Sequence, residues 1–568
     1  MKKKGFTLIE LLAVIVILAI IALIAVPIVI NIINDAKYES QKRSIDNYAS
    51  SIKQSLSNYN LKITNSIYGN FESIDKNTFQ QIITKERINI DYKGNVLCDT
   101  IVINEKGNLY LSNCTVDGSI VDYEYGDIDG FPILSKGLTP VIYKDNNWVV
   151  VPDYSKEWYD YDNQKWANAV VLGTDVSKNV GDTVAVDGTE AKMMLVWIPR
   201  YEYKIEGKYG TNPDGRAGTI YKPGEIKVNF INKNTTTAAE GYHLHPAFEF
   251  GEQQLNGIWV GKFEISYANT FNSICENEYC NTANDIRILP NKTASRYQVL
   301  SNYFYSIRSI ENMESFNLKD VDTHLIKNSE WGAIAYLSQS KYGKYGNSDY
   351  TENGNDYYST TNKEIYQNKH SQYLTGKSSG VPSPGGGRYT NQYDYDDMTN
   401  LGEGKGQSGP GASTTGTIYG VYDMSGGAYE YVMGIYSPSK DDLYSGYSRS
   451  YNSGFNGLIY NNNNPYMKTD GVNFPDSKYY DLYTNEDVLK ACNNDICYGH
   501  ALSEASGWYV DSYPTILVYS RPWIIRGGWR GDLSSPQDNE GAGIFSYGGN
   551  QNDYYGDIYS TRVVFTKK

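Results

Sequence analysis

The cysteines are the residues whose type and spacing point most directly to chemistry, because thiols can form disulfides or bind zinc. The 568-residue chain has six cysteines in three close pairs. A four-thiolate zinc site would need two pairs to meet, yet the pairs in CENEYC and CNNDIC lie more than two hundred residues apart. An even number of closely spaced cysteines favours local disulfides if the chain faces an oxidising compartment. We therefore expect three disulfides: Cys98–Cys114, Cys275–Cys280 and Cys492–Cys497.

Histidines and paired carboxylates are the next candidates for chemistry, and neither group makes a complete site. His243 and His245 lie one residue apart in HLH and could bind a metal, but two ligands do not complete a zinc site. A structural role is favoured for both. Asp396 and Asp397 lie in a polar stretch, do not by themselves specify a general acid and base, and are expected to be solvated.

A single carboxylate, Glu10, lies at the start of an apolar run that extends from Leu11 to Ile33 and is interrupted only by Asn31. At about 1.5 Å per helical residue, this run spans roughly 35 Å, enough to cross a membrane. The leader MKKK favours a cytoplasmic start and an external remainder of the chain. A secretory signal peptide would need a shorter apolar core and a cleavage site after it. An ionised carboxylate in a membrane helix costs about 2.5–3.5 kcal/mol, so we expect a partner to neutralise Glu10.

Cleavage after Gly5 would supply that partner, because Phe6 would become an amino terminus whose charge can meet Glu10 of a neighbouring helix. The basic leader, Gly5 and FTLIE resemble the cleavage and methylation signal of type IV prepilins. This resemblance implies that a prepilin peptidase cuts between Gly5 and Phe6, that Phe6 is N-methylated, and that Glu10 guides docking onto other pilins. Pro27 lies at the position where pilin helices usually kink. Proline would cause such a kink because it lacks the amide hydrogen. The protein is then anchored in the cytoplasmic membrane by one helix before it assembles into a pilus at the cell surface.

The elements that follow the leader, residues 1–5, predict a pilin-like first part. Residues 6–58 are expected to form one helix, since no glycine or further proline follows Pro27 before Gly69. GNVLCDTIVINEKGNLYLSNCTVDG alternates apolar and polar residues around a turn and predicts a hairpin. The pilin resemblance places this small sheet against the helix, in a β head at residues 59–120. Residues 121–189 are assigned to a linker or accessory β region.

Composition points to recognition rather than nucleic-acid binding. The formal net charge is −14 and no basic cluster follows the leader, which disfavours a surface that tracks phosphates. The chain has 54 tyrosines and 53 glycines. Tyrosine supplies rigid amphipathic contact area, while Ser, Gly and Asn supply adaptable hydrogen bonds. Residues 341–411 are almost devoid of aliphatic residues and are expected to form a long surface insertion.

Several ordered segments surround that insertion. LVWIPRYEYKI at Leu195 and IWVGKFEIS at Ile258 predict strands, and HLIKNSEWGAIAYLSQS at His324 predicts a helix with Leu325 and Trp331 on one face. Together with GVYDMSGGAYEYV, RPWIIRGGWRGD and STRVVF, these segments resemble the formylglycine-generating enzyme family, a branch of the C-type lectin-like fold. The resemblance covers roughly residues 190–566. It implies an α+β protein in which residues 190–568 form a lectin-like domain with long loops.

The same resemblance bears on catalysis and metals. The family's oxidase uses two copper-bound cysteines between the Arg-Gly-Gly segment and the final arginine, and this chain has no cysteine between Arg526 and Arg562. We therefore expect no copper and no enzymatic activity. The family also binds structural calcium, an ion that takes six to eight oxygen ligands. The residues that would supply oxygens here are Asp423, Gly426, Ala428 and Glu430.

The C-terminal segment is where lectin-like domains of this branch present their ligand-facing residues, and it also resembles variable proteins of diversity-generating retroelements. The expected function is a minor type IV pilin or pilus tip adhesin that presents a non-catalytic domain to a surface protein or glycan. The alternatives are an exported enzyme of the formylglycine-generating fold with altered chemistry, and a structural pilus cap. The candidate ligand contacts are Trp529, Asp532, Tyr547, Asn550, Asn552, Tyr554, Tyr555 and Tyr559.

Overall fold

The computed structural model divides the chain into two compact units, Met1–Ile128 (unit 1) and Asp129–Lys568 (unit 2). Within the first helix, side chains are described from residue 32 to residue 55 and at a few earlier positions. The structure describes residues 8–58, 72–75, 90–103, 109–121, 123, 125–126, 128–153, 155, 157–206, 225–268, 286–298, 300–344, 364–380, 392–398, 409–436, 455, 475–483, 498–505, 508, 523–528, 542–550 and 558–568.

Unit 1 consists of a long helix, α1 (Leu8–Asn58), and a five-stranded antiparallel sheet. The strand order is β1-β2-β3-β4, and β5 pairs with β3. Among the residues whose side chains the structure describes, no helix combines the length and apolar character needed to span a membrane. The strands are β1 (Glu72–Asp75), β2 (Val96–Ile103), β3 (Leu109–Val116), β4 (Ser119–Val121) and β5 (Tyr125–Gly126).

The core of unit 1 lies between helix and sheet. Ile45, Ala49 and Ile52 are fully buried, and their spacing of four and three residues puts them on one face of α1. They share a core with the inward-facing residues of β2 and β3, including Cys98 and Cys114. These two cysteines are directly opposite each other in the antiparallel register and are joined by a disulfide. The predicted hairpin and its Cys98–Cys114 bridge are thus confirmed, whereas the other two cysteine pairs lie outside the described residues.

Unit 2 is built on an eight-stranded antiparallel sheet with the order β19-β25-β16-β10-β8-β6-β7-β9. Its strand β10 is buried along nearly its whole length, which fits its almost continuous apolar sequence. The last strand of the chain, β25, lies between β16 and β19. The strands are β6 (Leu138–Lys144), β7 (Asn147–Val150), β8 (Asn168–Leu172), β9 (Thr183–Val184), β10 (Ala191–Pro199), β16 (Gly257–Gly261), β19 (Val321–Leu325) and β25 (Val563–Lys567).

Four smaller sheets, two α-helices and several short 3-10 helices complete the described part of unit 2. The three-stranded sheet has the order β12-β11-β13, and two-stranded pairs form from β14 with β15 and from β17 with β18. Their bounds are β11 (Tyr201–Glu206), β12 (Glu225–Phe230), β13 (His243–Leu244), β14 (Glu249–Phe250), β15 (Gln253–Gln254), β17 (Ser266–Tyr267) and β18 (Ile286–Arg287). The five-stranded sheet contains β20 (Tyr429–Tyr436), β21 (Asp481–Tyr483), β22 (Trp523–Arg526), β23 (Tyr547–Asn550) and β24 (Tyr559–Thr561). The helices are α2 (Leu300–Ser309) and α3 (Asn328–Ser338).

Three expectations about unit 2 need correction. Residues 129–189, which the sequence set apart as part of a linker or accessory region, supply β6 to β9 of the central sheet and belong to unit 2. Leu325 lies on β19 rather than on the helix, which begins at Asn328. The segment expected to be one strand from Leu195 is two strands, because the chain leaves β10 at Arg200 and starts β11.

The expected surface insertion, residues 341–411, is also partly a core segment. Where the structure describes it, Ile365, Tyr366, Tyr373 and Tyr395 are buried. The Tyr395 hydroxyl accepts a hydrogen bond from the indole N–H of Trp148 at 3.1 Å. Buried tyrosines with hydroxyl partners therefore do the packing that aliphatic residues do elsewhere.

Candidate functional site

The candidate site is the five-stranded sheet of unit 2, because it carries both the expected calcium turn and the described part of the expected ligand surface. Strand β20 pairs with β22 in antiparallel orientation on one edge, and with β21 and β24 in parallel orientation on the other. Strand β23 adds to β22. The rungs of the ladder run Tyr547 to Arg526, Arg526 to Glu430, and Glu430 to Ser560.

The structure describes three of the expected ligand residues, Tyr547, Asn550 and Tyr559. Tyr547 and Tyr559 lie on separate strands that are not adjacent. Tyr559, half-buried on β24, stacks on Tyr429 with ring centroids 5.7 Å apart. Tyr547 is only 9% exposed, and the guanidinium of Arg526 lies 5.8 Å from its ring. The ring of Tyr547, which was expected to contact a ligand, packs in the core. Asn550 ends β23 with its backbone opposite Trp523.

Strands β20 and β22 lie between β23 and β24, so the sheet does not bring Tyr547 and Tyr559 side by side. The half-buried stack of Tyr429 on Tyr559 is the aromatic feature that reaches the surface among the described candidates. The remaining candidate contacts lie outside the described residues: Trp529, Asp532, Asn552, Tyr554 and Tyr555.

A buried ion pair lies at the centre of the sheet. Arg562, between β24 and β25, donates to both carboxylate oxygens of Glu430, from Nε at 3.1 Å and from Nη2 at 2.6 Å. The same guanidinium donates to the backbone oxygens of Gly261 at 2.7 Å and Tyr422 at 2.8 Å. Both partners of the pair are fully buried. Burial raises the pKa of the Glu430 carboxyl to about 7, against the opposing effect of Arg562.

The turn before β20 holds a second carboxylate through N–H donors. Asp423 has a left-handed backbone with φ of +62°, and its carboxylate accepts from the Asn368 side-chain amide and the Gly376 backbone N–H, each at 2.9 Å. Gly426 and Gly427 also have positive φ, which favours glycine at both positions. Burial raises the pKa of Asp423. The charge of Arg562 and the hydrogen bonds from Asn368 and Gly376 act in the opposite direction.

A third carboxylate, Glu264, enters from the segment after β16. Its Oε1 accepts from the backbone N–H of Ala428 at 3.0 Å. Burial raises the pKa of Glu264 well above its usual value, and the charges of Glu430 and Asp423 act in the same direction. Glu264 was not among the site residues expected from the sequence, although a charged residue inside the apolar stretch IWVGKFEIS was an available signal.

The expected calcium ligands Asp423 and Glu430 already have hydrogen-bond partners. The carboxylates of Asp423 and Glu430 are engaged by N–H donors of Asn368, Gly376 and Arg562, and not by each other. Among the described residues, no three His, Cys, Asp or Glu side chains are grouped in a way that could hold a metal ion. The arrangement found here does not fit a calcium ligand set, because a charged protein side chain and amide groups already occupy the carboxylates.

The other chemically suggestive residues have structural surroundings. His245 is buried, its Nδ1 accepts the backbone N–H of Ala247 at 3.2 Å, and burial lowers its pKa to about 3. His243 lies half-buried on β13. Asp396 and Asp397 are half-buried rather than fully solvated, and burial raises the pKa of Asp396.

Comparison with known protein families finds a match at the start of the chain. Residues 1–26 match the family model described as the prokaryotic N-terminal methylation motif. A search of curated proteins gives no match. The methylation motif contains Gly5, Phe6 and Glu10, the residues that the sequence analysis placed at the processing site.

Proposed function

We propose that this chain is a minor type IV pilin or pilus tip adhesin that presents unit 2 as a non-catalytic ligand-binding domain. The methylation motif at residues 1–26 carries the proposal, because it is the signal of proteins that are processed by a prepilin peptidase. The arrangement of unit 1 supports it. A helix begins inside the matched motif and continues to Asn58. Its later turns pack on a disulfide-linked sheet.

The processing step explains the carboxylate in the apolar run. Cleavage between Gly5 and Phe6 exposes a new amino terminus, and Glu10 of a neighbouring subunit offers the opposite charge. Within a membrane, removal of an unpaired charge is worth about 2.5–3.5 kcal/mol on insertion scales. The pairing therefore favours assembly with other pilins over dispersal in the membrane.

The ligand surface is assigned to the C-terminal segment around Tyr554 and Tyr555, which resembles the ligand-facing part of lectin-like domains. Tyr559, which follows this segment in the sequence, is half-buried and stacks on Tyr429. Stacked aromatic side chains offer large contact area at low cost in conformational entropy. The partner is a surface protein or a glycan.

Mass spectrometry of the Gly5→Val variant tests the processing step. We expect the parent protein to begin at an N-methylated Phe6, and the Gly5→Val variant to keep its leader because the larger side chain does not fit the peptidase. Ile9→Val, a conservative change in the same segment, is the matched control and should be processed. A processed, N-methylated Phe6 in the Gly5→Val variant would contradict the proposed processing.

Assembly is tested separately with Glu10→Val. Membrane insertion should be retained, because the substitution makes the helix more apolar, whereas incorporation into pili should fall. Comparison of the membrane and sheared-pilus fractions measures both quantities. Normal incorporation of the Glu10→Val variant would refute the role of charge pairing.

Adhesion is tested with a double substitution, Tyr554→Ala with Tyr555→Ala, in the full chain displayed on cells. Truncation of a hot-spot aromatic residue costs at least about 2 kcal/mol, roughly thirtyfold in affinity, so binding to target cells should be lost. Display and the unfolding temperature should stay at parental values. Val564→Ala is the contrasting variant, because Val564 is fully buried on β25 and its truncation should destabilise unit 2. Undiminished binding by the double variant would place recognition elsewhere, for example in residues 341–411.

A further inference from the structure

The segment that leads into the candidate site, residues 409–430, is held in an unusual way. Between the 3-10 turn Gly409–Ala412 and β20, it has neither helix nor strand, yet most of its residues are buried. Buried backbone carbonyls without a ladder partner must find donors elsewhere. In this segment, buried basic side chains supply donors to several of them.

The first two donors are lysines. Lys344, after α3, is 1% exposed, and its Nζ donates to the Gly411 oxygen at 2.7 Å. Lys262, directly after β16, is fully buried and donates to the oxygens of Ile418 at 2.6 Å and Gly420 at 2.9 Å.

Lys262 also donates to the side-chain oxygen of Asn168 at 2.8 Å. Burial lowers the pKa of Lys262 well below its usual value. However, three oxygen acceptors match the three N–H donors of an ammonium group, whereas a neutral amine has two.

Arg562 is the third donor. It reaches the Tyr422 oxygen and, at the end of the segment, the Glu430 carboxylate. The three basic residues come from three separate places in the chain: after α3, after β16 and before β25. Each contacts a different part of the segment, so together they fix it from Gly411 to Glu430.

We infer that Lys344, Lys262 and Arg562 take the structural role of a divalent cation in this segment, so that the candidate site folds without calcium. Backbone carbonyls and carboxylates are the ligands that calcium prefers. Here backbone carbonyls and the Glu430 carboxylate accept hydrogen bonds from basic side chains instead. Unlike a bound ion, these side chains cannot dissociate into the solvent or be removed by a chelator. The consequence for recognition, which rests on the proposed function, is that adhesion does not depend on divalent cations.

Calcium titration of the full chain in detergent tests the inference. All nine tryptophans lie between residues 148 and 529, so tryptophan fluorescence reports on unit 2 alone. After treatment with chelator, addition of calcium chloride should leave the unfolding temperature unchanged. A saturable rise that disappears in Asp423→Asn would overturn the inference, because it would place calcium in this turn. A rise that persists in Asp423→Asn would also count against the inference, because the asparagine carbonyl oxygen can still bind calcium.

Lys262→Met provides the second test, with Lys341→Met as the matched control because Lys341 is exposed. We expect Lys262→Met to lower the unfolding temperature well below that of the control, with no recovery on addition of calcium. Recovery with calcium, or an unfolding temperature equal to that of Lys341→Met, would refute the role given to Lys262.

Adhesion of displaying cells in chelator, compared with calcium, tests the consequence for recognition. Equal adhesion in chelator and in calcium supports the inference. If adhesion is lost in chelator while unit 2 stays folded, recognition does depend on a divalent cation and the consequence for recognition is overturned. Cells that adhere to no target under either condition would count against the proposed function, while the two fluorescence tests would still decide the inference.

Discussion

Replacement of Arg562 by methionine should strongly destabilise unit 2. Methionine keeps an unbranched side chain but removes all N–H donors, so Glu430 stays buried without its partner. Breaking a buried ion pair by removal of one member costs about 3–5 kcal/mol. The oxygens of Gly261 and Tyr422 also lose donors, and each unsatisfied buried acceptor costs about 1–3 kcal/mol. These contributions share one side chain and are not additive, so we expect a loss of at least about 3 kcal/mol.

Urea unfolding of the full chain, followed by tryptophan fluorescence, measures this loss in unit 2. Lys341→Met removes a basic side chain that is 61% exposed and should change the midpoint little. A second comparison combines Arg562→Met with Glu430→Gln. Because the two residues interact directly, the double variant should lose clearly less stability than the sum of the single losses. A midpoint for Arg562→Met equal to that of Lys341→Met, or additive losses in the double variant, would refute the pairing argument.

Two further predictions concern pH and the disulfide. The pKa of His324 is raised above 6.5, because Glu330 and hydrogen bonds to Asp322 and Glu330 outweigh the opposite effect of burial. Protonated His324 therefore contributes its full stabilisation of the folded state below pH 6.5. This contribution is lost as the pH rises through the folded-state pKa of His324. The urea midpoint should fall over that range in the parent and fall less in His324→Gln, and equal slopes would contradict this. Removal of the Cys98–Cys114 bridge by serine substitutions should destabilise unit 1 by about 2–4 kcal/mol. Faster hydrogen exchange in residues 45–52 and 96–116, with an unchanged tryptophan transition, is the expected outcome, and unchanged exchange would contradict it.

Some features were predictable because they depend on short stretches of chain. The methylation motif is contiguous, and its residues are recognised in order along the sequence. The hairpin of β2 and β3 closes within a few residues, so alternation and a turn suffice to predict it. The separation of 16 residues between Cys98 and Cys114 makes their pairing a local event.

Other expectations failed where burial depends on partners that are remote in sequence. Tyr547 has the residue type of a ligand contact, but its ring lies in the core against the Arg526 side chain. The described parts of residues 341–411 have few aliphatic residues, yet Tyr366, Tyr373 and Tyr395 are buried. The Tyr395 hydroxyl accepts a hydrogen bond from Trp148, which lies 247 positions away in sequence. Leu325 continues an apolar spacing that suits a helix, but pairing with β25 keeps it on a strand.

The sequence by itself determined the processing signal, the long helix and the disulfide-linked hairpin, because each depends on neighbouring residues. The tertiary structure decided how the candidate site is held. Gly261, Glu430 and Arg562 are separated by up to 301 positions, and no spacing rule predicts that they meet. Their meeting follows from the central sheet, in which β25 lies against β16 and thereby brings the end of the chain beside its middle. Burial then forces each polar group to find a partner, and those partners are fixed by the fold rather than by order along the chain.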